Sequence, residues 1–327
     1  MTQDAAAGAS EILNVSLIEA LRSHRTPLLW DGGIGTALIV RGLLLATEPP
    51  EAWLWSHRDE VESVHRGFAE ARVDVLQTNG FGLVRLAAAG RLPQDPSTGN
   101  VPSLREFVHR SVSLARAGQR AGGAWPKWLV ASLGPTGASG LEPERLAALY
   151  GEAATAVAET GVAALHLETC FDPLELRVAV AAVRRAAPEL PLLVSLTVTH
   201  GQLGLETPLG VPLARMLSEL SDEPPALIGV NCSQNAERMR GAIAAVASWA
   251  NSGGRRLPVL ARPQLHSGMP DCKRPSKPIE PQRFAEQLVA LLDEGATAIG
   301  GCCGVTAAHL AAVRQAFEGF FSPPSKL

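Results

Sequence analysis

Eight short apolar runs, each stopped by glycine, proline or a polar residue, recur along the 327-residue chain. They are LLWDGG (28–33), VDVLQTNGF (73–81), WLVASLGP (128–135), ALHLET (164–169), PLLVSLTV (191–198), ALIGVNC (226–232), LPVLARP (257–263) and AIGGCC (298–303). Their length and boundaries are those of buried strands. Between them lie alanine-rich and leucine-rich segments with charges at helical spacing, such as EPERLAALYGEAATAVAETG (142–161) and PQRFAEQLVALLDEG (281–295). Strand then helix, repeated eight times, is the pattern of an α/β fold of the (β/α)8 TIM-barrel type.

The rival architecture is an open, doubly wound sheet, which often starts with a glycine-rich phosphate loop. DGGIGTAL (31–38) has Gly33 and Gly35 but lacks the remaining glycine of that fingerprint, and an aspartate precedes them. The length suits one barrel domain over 1–327, with 1–25 as an N-terminal helical extension and 28–320 as the barrel. The helix expected at 11–23 either covers the lower end of the barrel or packs on a second subunit, so a homo-oligomer stays open. RLPQDPSTGNVPS (91–103) reads as an exposed loop, because the alternation resumes beyond it.

A formal net charge of -3 with no basic run gives no electrostatic footprint for nucleic acid. No apolar stretch reaches the length of a membrane span without interruption, and the first residues lack the basic-then-apolar pattern of a signal peptide. The reading is a soluble, cytoplasmic protein whose partners are small molecules. Five cysteines without paired spacing argue against a disulfide framework and leave thiols for metal or catalysis.

In a barrel of this kind the C-terminal strand ends form the functional rim. Polar residues gather there: Asp31, Thr78 with Asn79, Glu168, Thr197, Cys232, Arg262 with Gln264, and Cys302 with Cys303. Adjacent Cα atoms stand about 3.8 Å apart and a disulfide needs about 4.4–6.8 Å, so Cys302 and Cys303 are expected to be reduced. Gly300, Gly301 and Gly304 permit the sharp turn that brings both sulfurs to one centre. Cys232, two strands away around the ring, supplies a third sulfur, and three thiolates with an open fourth position describe a catalytic zinc site. Taken singly, each of these cysteines also reads as a buried, inert thiol. Cys170 and Cys272 are expected not to be ligands. His166 shares strand parity with Glu168 one layer deeper and reads as a core histidine. Asp31 and Glu168, if held close, need a cation between them, such as an ammonium group; their plainer readings are a helix cap and a salt bridge.

These residues resemble the homocysteine S-methyltransferase family, which includes the homocysteine-binding domain of cobalamin-dependent methionine synthase and betaine–homocysteine methyltransferase. DGGIGTAL, TNGFG, SLGPTG, LETCFDPLE, GVNCS and IGGCCGVTAAHL follow the order of that family's motifs over roughly residues 28 to 320. The resemblance implies that Cys232, Cys302 and Cys303 hold Zn2+ and that Asp31 and Glu168 receive the homocysteine amino group. Backbone amides near Gly32 and Gly33 become candidates for its carboxylate, with Thr78 and Asn79 also at the substrate. The implied reaction is in-line displacement, in which homocysteine thiolate takes the methyl group of an activated donor and becomes methionine.

Two departures from the family's motifs stand out. RPQLHSGMP (262–270) replaces a PNAG-like turn, with Gln264 at the usual asparagine and His266 in an apparent insertion. TNGFG has Gly80 at the usual threonine. The favoured donors are the sulfonium compounds S-methylmethionine and S-adenosylmethionine. Betaine, methylfolate or a corrinoid protein partner as donor, and another thiol as acceptor, remain the alternatives. Two further readings are a zinc hydrolase and a thiol-amino-acid-binding barrel without catalysis.

Overall fold

The computed structural model describes residues 15–23, 26–123, 125–137, 140–232, 234–265 and 279–321, the side chains of 319–321 excepted. Its strands are β1 (Leu28–Leu29), β2 (Val75–Gln77), β3 (Trp128–Leu133), β4 (Ala164–Cys170), β5 (Leu192–Leu196), β6 (Thr199–Gly201), β7 (Gly204–Glu206), β8 (Leu227–Asn231), β9 (Val259–Arg262) and β10 (Ala298–Ile299). Eight of them form a parallel sheet in the order β1-β10-β9-β8-β5-β4-β3-β2, and each of the eight comes from one of the apolar runs. The ends of the sheet meet: Trp30 bridges Val75, the Asp31 amide donates to the Val75 carbonyl at 3.1 Å, and the Asp74 amide donates to that of Leu29 at 2.7 Å. The sheet thus closes into the (β/α)8 barrel that the strand–helix alternation predicts. The antiparallel hairpin β6–β7 is an addition after β5 that no apolar run announced.

Helices return the chain between strands, and their starts follow from local chemistry. Helices Pro143–Ala158, Pro173–Ala186 and Pro281–Val289 each begin with proline, whose fixed φ suits the first turn and whose missing N–H is no loss there. Ser103 and Glu106 cap helix Leu104–Ala121 reciprocally: the Glu106 amide donates to Ser103 Oγ at 3.3 Å and the Ser103 amide to Glu106 Oε2 at 2.7 Å. Asp172 accepts from the amides of Leu174 and Glu175 at 2.8 and 3.1 Å. No described helix is long and apolar enough to cross a membrane.

Strand alternation sorts the side chains into two compartments. Leu29, Leu76, Leu129, Leu165, Val194, Ile228, Val259 and Ile299 face outward into the shell shared with the helices. Leu28, Trp30, Val75, Val130, Ala164, Leu193, Leu227, Leu260 and Ala298 form a separate interior cluster, which Leu17 and Leu21 join from helix Leu17–Ser23. The N-terminal helix therefore plugs the barrel, over the part of the expected 11–23 span that lies within the described residues. One step along the same inward columns the lining turns polar, with Gln77, Ser132, His166, Ser195, Asn231 and Arg262 all buried. His166 is the core histidine expected from its parity: it is fully buried, burial lowers its pKa to about 4, and Nε2 meets Ser195 Oγ at 2.7 Å.

Truncation of the plug tests its role. Leu21 is 2% exposed, and Leu21→Ala is expected to cost about 2–4 kcal/mol in urea unfolding, the range for buried leucine truncations. The barrel-top cysteines should keep their reactivity toward a thiol reagent in that variant.

Candidate active site

The three rim cysteines come together. The sulfurs of Cys232, Cys302 and Cys303 all lie within 4.8 Å of one another, and those of Cys232 and Cys303 are 3.8 Å apart. Two thiolates on one tetrahedral zinc, each about 2.3 Å from the ion, are separated by about 3.8 Å. The donor set and its spacing thus suit zinc with one position left open. Contacts within the cluster act in both directions, and with burial they leave the Cys302 and Cys303 thiols raised. Contact with Cys232 lowers the Cys303 thiol, but its hydrogen bond with Cys302, repulsion and burial outweigh this and push it up to about 12. Hydrogen bonding to Cys232 is the largest influence raising Cys302.

Local backbone explains how neighbours reach one centre. Strand β10 ends at Ile299, before the pair, so strict side-to-side alternation no longer applies. At Gly300 a Cβ would lie 2.5 Å from that of Trp30, so only glycine lets β10 lie against β1 there. Gly304 has φ +82° and turns the chain away after the pair. Between these points the Cys302 amide donates to the Pro263 carbonyl at 2.9 Å, and the Cys303 carbonyl accepts from Leu265 at 2.9 Å. Cys232 itself has φ +60°, a left-handed conformation that swings its side chain off the end of β8.

Beside the sulfurs lies a buried charge network. Arg262, 3% exposed, donates from Nη2 to Asp31 Oδ1 at 3.0 Å, from Nη1 to Glu168 Oε2 at 3.2 Å, and from Nε to the Gly301 carbonyl at 2.9 Å. The cation that the two carboxylates need is thus the protein's own guanidinium. Glu168 also accepts from Ser132 Oγ, from Gln77 Nε2 at 3.1 Å and from Asn231 Nδ2 at 3.2 Å. Burial opposes its ionisation, yet Arg262, His166 and the Ser132 hydrogen bond outweigh burial and hold its pKa below the usual value. Asp31 is wholly buried, and burial raises its pKa despite Arg262 and a 2.6 Å hydrogen bond from the Gln77 amide.

A cavity of about 320 Å³ opens above this layer. The three cysteines, Gly32, Gly33, Gln77, Thr78, Asn79, Glu168 and Arg262 line it, whereas Asp31 does not. Of the two carboxylates, Glu168 lines this cavity and Asp31 lies behind Arg262. Gln77 Oε1 is buried with no hydrogen-bond partner among the described residues. Because Gln77 Nε2 donates to a carboxylate, the amide orientation is set and the free atom is an acceptor.

The sequence profile of the homocysteine S-methyltransferase family matches residues 28–317. The chain belongs to that family of enzymes. Methionine synthase of Mycobacterium tuberculosis (strain ATCC 25618 / H37Rv) is 28% identical over 336 residues, covering 97% of this chain and 26% of that protein. The Mycobacterium leprae (strain TN) methionine synthase is 29% identical over 272 residues, covering 79% of this chain and 21% of its own length. The chain thus spans about a quarter of the first relative's length and about a fifth of the second's. Among solved structures, the homocysteine methyltransferase MmuM from Escherichia coli in its metallated form has a TM-score of 0.71 at 24% identity, over 91% of this chain and 99% of that one. Its oxidised form gives a TM-score of 0.70 at 23% identity, over 91% and 99%. These likenesses are of fold.

Within this member of the homocysteine S-methyltransferase family, the departures have defined places. Gln264 is buried, its amide donates to the Gln234 carbonyl at 3.0 Å, and its Oε1 stands 4.0 Å from Cys232 Sγ. At Gly80 an added Cβ would sit 2.6 Å from the Ser132 carbonyl, so the residue brings its loop close against β3. His266 and Cys272 lie outside the described residues. Cys170 is buried away from the sulfur cluster, beside Tyr150 and Glu175 in a separate small cavity, and burial raises its thiol pKa. Motif reading assigned no role to Gln77, Ser132, Asn231 or Arg262. Their signal was inward strand parity with Val75, Val130, Leu227 and Leu260.

Removing the guanidinium isolates two buried carboxylates. Arg262→Met is expected to destabilise the fold by about 3–5 kcal/mol in denaturant unfolding, as for a buried ion pair with one partner removed. Adding Glu168→Gln should restore part of that loss; a double variant with fully additive losses would contradict the coupling.

Proposed function

We propose that the chain is a zinc-dependent S-methyltransferase that moves a methyl group from a sulfonium donor, S-methylmethionine or S-adenosylmethionine, to homocysteine, giving methionine. The observation that carries the reading is the convergence of three sulfurs with Glu168 and Gln77 on one cavity. Residues 1–327 are taken as one domain of this type.

Cys232, Cys302 and Cys303 hold the ion, which supplies Lewis acidity that keeps an added thiol deprotonated at neutral pH. The side chains around it fix the acceptor's other end. An ammonium group needs acceptors, and Glu168 with Gln77 Oε1 offers them on the cavity wall. Amides of Gly32 and Gly33, which line the same cavity, receive the carboxylate. Thr78 and Asn79 border it from the β2 end. Asp31 acts from beneath as a positioning residue: it anchors Arg262, which in turn orients Glu168 and the Gly301 carbonyl next to Cys302. Fixing both ends of the acceptor aims its sulfur at the donor methyl, the alignment an in-line displacement requires.

A second reading has its own support. The two methionine synthase relatives are about four and about five times as long as the regions they share with this chain, and Ile39, Val40, Leu44 and Leu45 are exposed apolar residues of one segment, of which Ile39 and Leu45 line the cavity. In that reading the methyl group arrives from a corrinoid protein or a methylfolate-binding partner.

The decisive assay is methionine formation by mass spectrometry with zinc-loaded protein, homocysteine and, in parallel, S-methylmethionine, S-adenosylmethionine, betaine and methyltetrahydrofolate. Chelator-sensitive methionine is expected from a sulfonium donor. No product from any free donor, with homocysteine bound, would favour the partner-delivered reading. Cys302→Ser is expected to lose zinc and methyl transfer while keeping the wild-type circular dichroism spectrum; full zinc and full activity would sink the ligand assignment.

A further inference from the structure

A carboxylate in the cavity wall has no role in the scheme above. Glu51 is 2% exposed, lies in the turn Pro50–Ala52 between β1 and β2, and lines the same cavity as the cysteines. Its Oε1 accepts from the Gly82 amide at 2.6 Å, while Oε2 is buried with no hydrogen-bond partner among the described residues. A carboxylate oxygen kept from water without a partner is costly. Its position is fixed from two sides, because Asn79 Nδ2 donates to the neighbouring Pro50 carbonyl at 2.9 Å and the Gly82 amide holds the other oxygen. Burial raises the Glu51 carboxyl pKa, and Arg85 pulls in the opposite direction.

Arg85 lines the cavity too and is exposed at its mouth, and it is not within ion-pair distance of Glu51 among the described salt bridges. The two opposite charges share one cavity, close enough to influence each other and without closing on each other. Phe81, 40% exposed, lies beside them with its ring against Gly134. An unpaired buried acid, a solvent-facing guanidinium and an aromatic face in one pocket match three features of one ligand class: ammonium, carboxylate and an onium centre.

We infer that Glu51 and Arg85 form the headgroup site for the sulfonium donor of the preceding section, binding its α-ammonium and α-carboxylate groups. Glu51 Oε2 accepts from the donor's ammonium, Arg85 pairs with its carboxylate, and the sulfonium lies toward Phe81. The inference rests on the methyl-transfer reading and deepens it by naming the side chains that hold the donor. Betaine has no N–H to give Glu51, and methyltetrahydrofolate brings anionic carboxylates toward a buried acid. Donor and acceptor headgroups are then held by different pairs, Glu51 with Arg85 and Glu168 with Gln77, so each substrate can be weakened separately.

The test compares wild type, Glu51→Gln and Arg85→Gln, all zinc-loaded. Calorimetry measures binding of S-methylmethionine, of dimethylsulfoniopropionate, which lacks the ammonium, and of homocysteine; turnover is measured alongside. Glu51→Gln keeps an acceptor for the Gly82 amide and removes the charge. It is expected to weaken S-methylmethionine about ten- to hundredfold, the scale of one charged hydrogen bond. Dimethylsulfoniopropionate and homocysteine should shift less than twofold in that variant. Arg85→Gln should weaken both sulfonium carboxylates and spare homocysteine. Equal S-methylmethionine affinity in wild type and Glu51→Gln, or an equal loss for the ammonium-free analogue, overturns the headgroup site. Wild-type protein that binds S-methylmethionine through Glu51 yet forms no methionine would leave the site standing and overturn the methyl-transfer reading alone.

Discussion

An arginine placed inside a barrel must be neutralised, and Arg262 is neutralised by Asp31 and Glu168 together. The rest of the site is built around that contact. Through it the ends of β1, β4 and β9 are tied to one guanidinium, and Nε reaches the Gly301 carbonyl, one residue before the cysteine pair. The same network takes up a donor from Gln77, Ser132 and Asn231, so the ends of β2, β3 and β8 join it as well. Buried ion pairs are weak sources of stability because desolvation offsets the Coulomb gain. Their contribution here is positional: six strand ends share one hydrogen-bonded layer, and the sulfur cluster sits on its edge.

Most of the architecture was legible in the chain because its signals are local. Each of the eight barrel strands falls inside one apolar run, β4 alone extending one residue past its own to Cys170, and inward parity carried the polar lining from one strand to the next. The cysteines were legible for the same reason, all three standing at strand ends and the adjacent pair flanked by glycines. What was not legible depended on distance. Asp31 and Glu168 are separated from Arg262 by 231 and 94 positions, so no spacing rule shows that an arginine, already in the chain, sits between them. Glu51 escaped because it belongs to a short turn between strands, outside the rim positions that the barrel pattern singles out. The β6–β7 hairpin, three residues per strand and largely solvent-facing, carries too little apolar alternation to be seen.

Backbone strain is concentrated beside the sulfur cluster and the charge network. Of the three described non-glycine residues with positive φ, Thr169 and Cys232 each follow an inward-facing member of the polar layer, Glu168 and Asn231. Such conformations cost of order 1–3 kcal/mol each and persist only where neighbours enforce them. Asn231 does so for Thr169, accepting its amide at 2.9 Å and donating to its hydroxyl at 2.8 Å. The β-bulge between Leu167 and Cys170 lies at the same point, so β4 leaves regular pairing just as it delivers Glu168.

The cavity also has a direction. Its floor is the layer of Arg262 and Glu168, with Trp30 and the apolar interior below, and its open end carries Ile39, Leu45 and Phe81. A blind passage is filled from the bottom and emptied from the top. A thiol that must reach the cysteines enters ahead of any molecule lodged nearer the mouth, and it departs behind that molecule. Under the methyl-transfer reading proposed above, such a shape would set an order of arrival and release for acceptor and donor, written in geometry before any difference in affinity is considered.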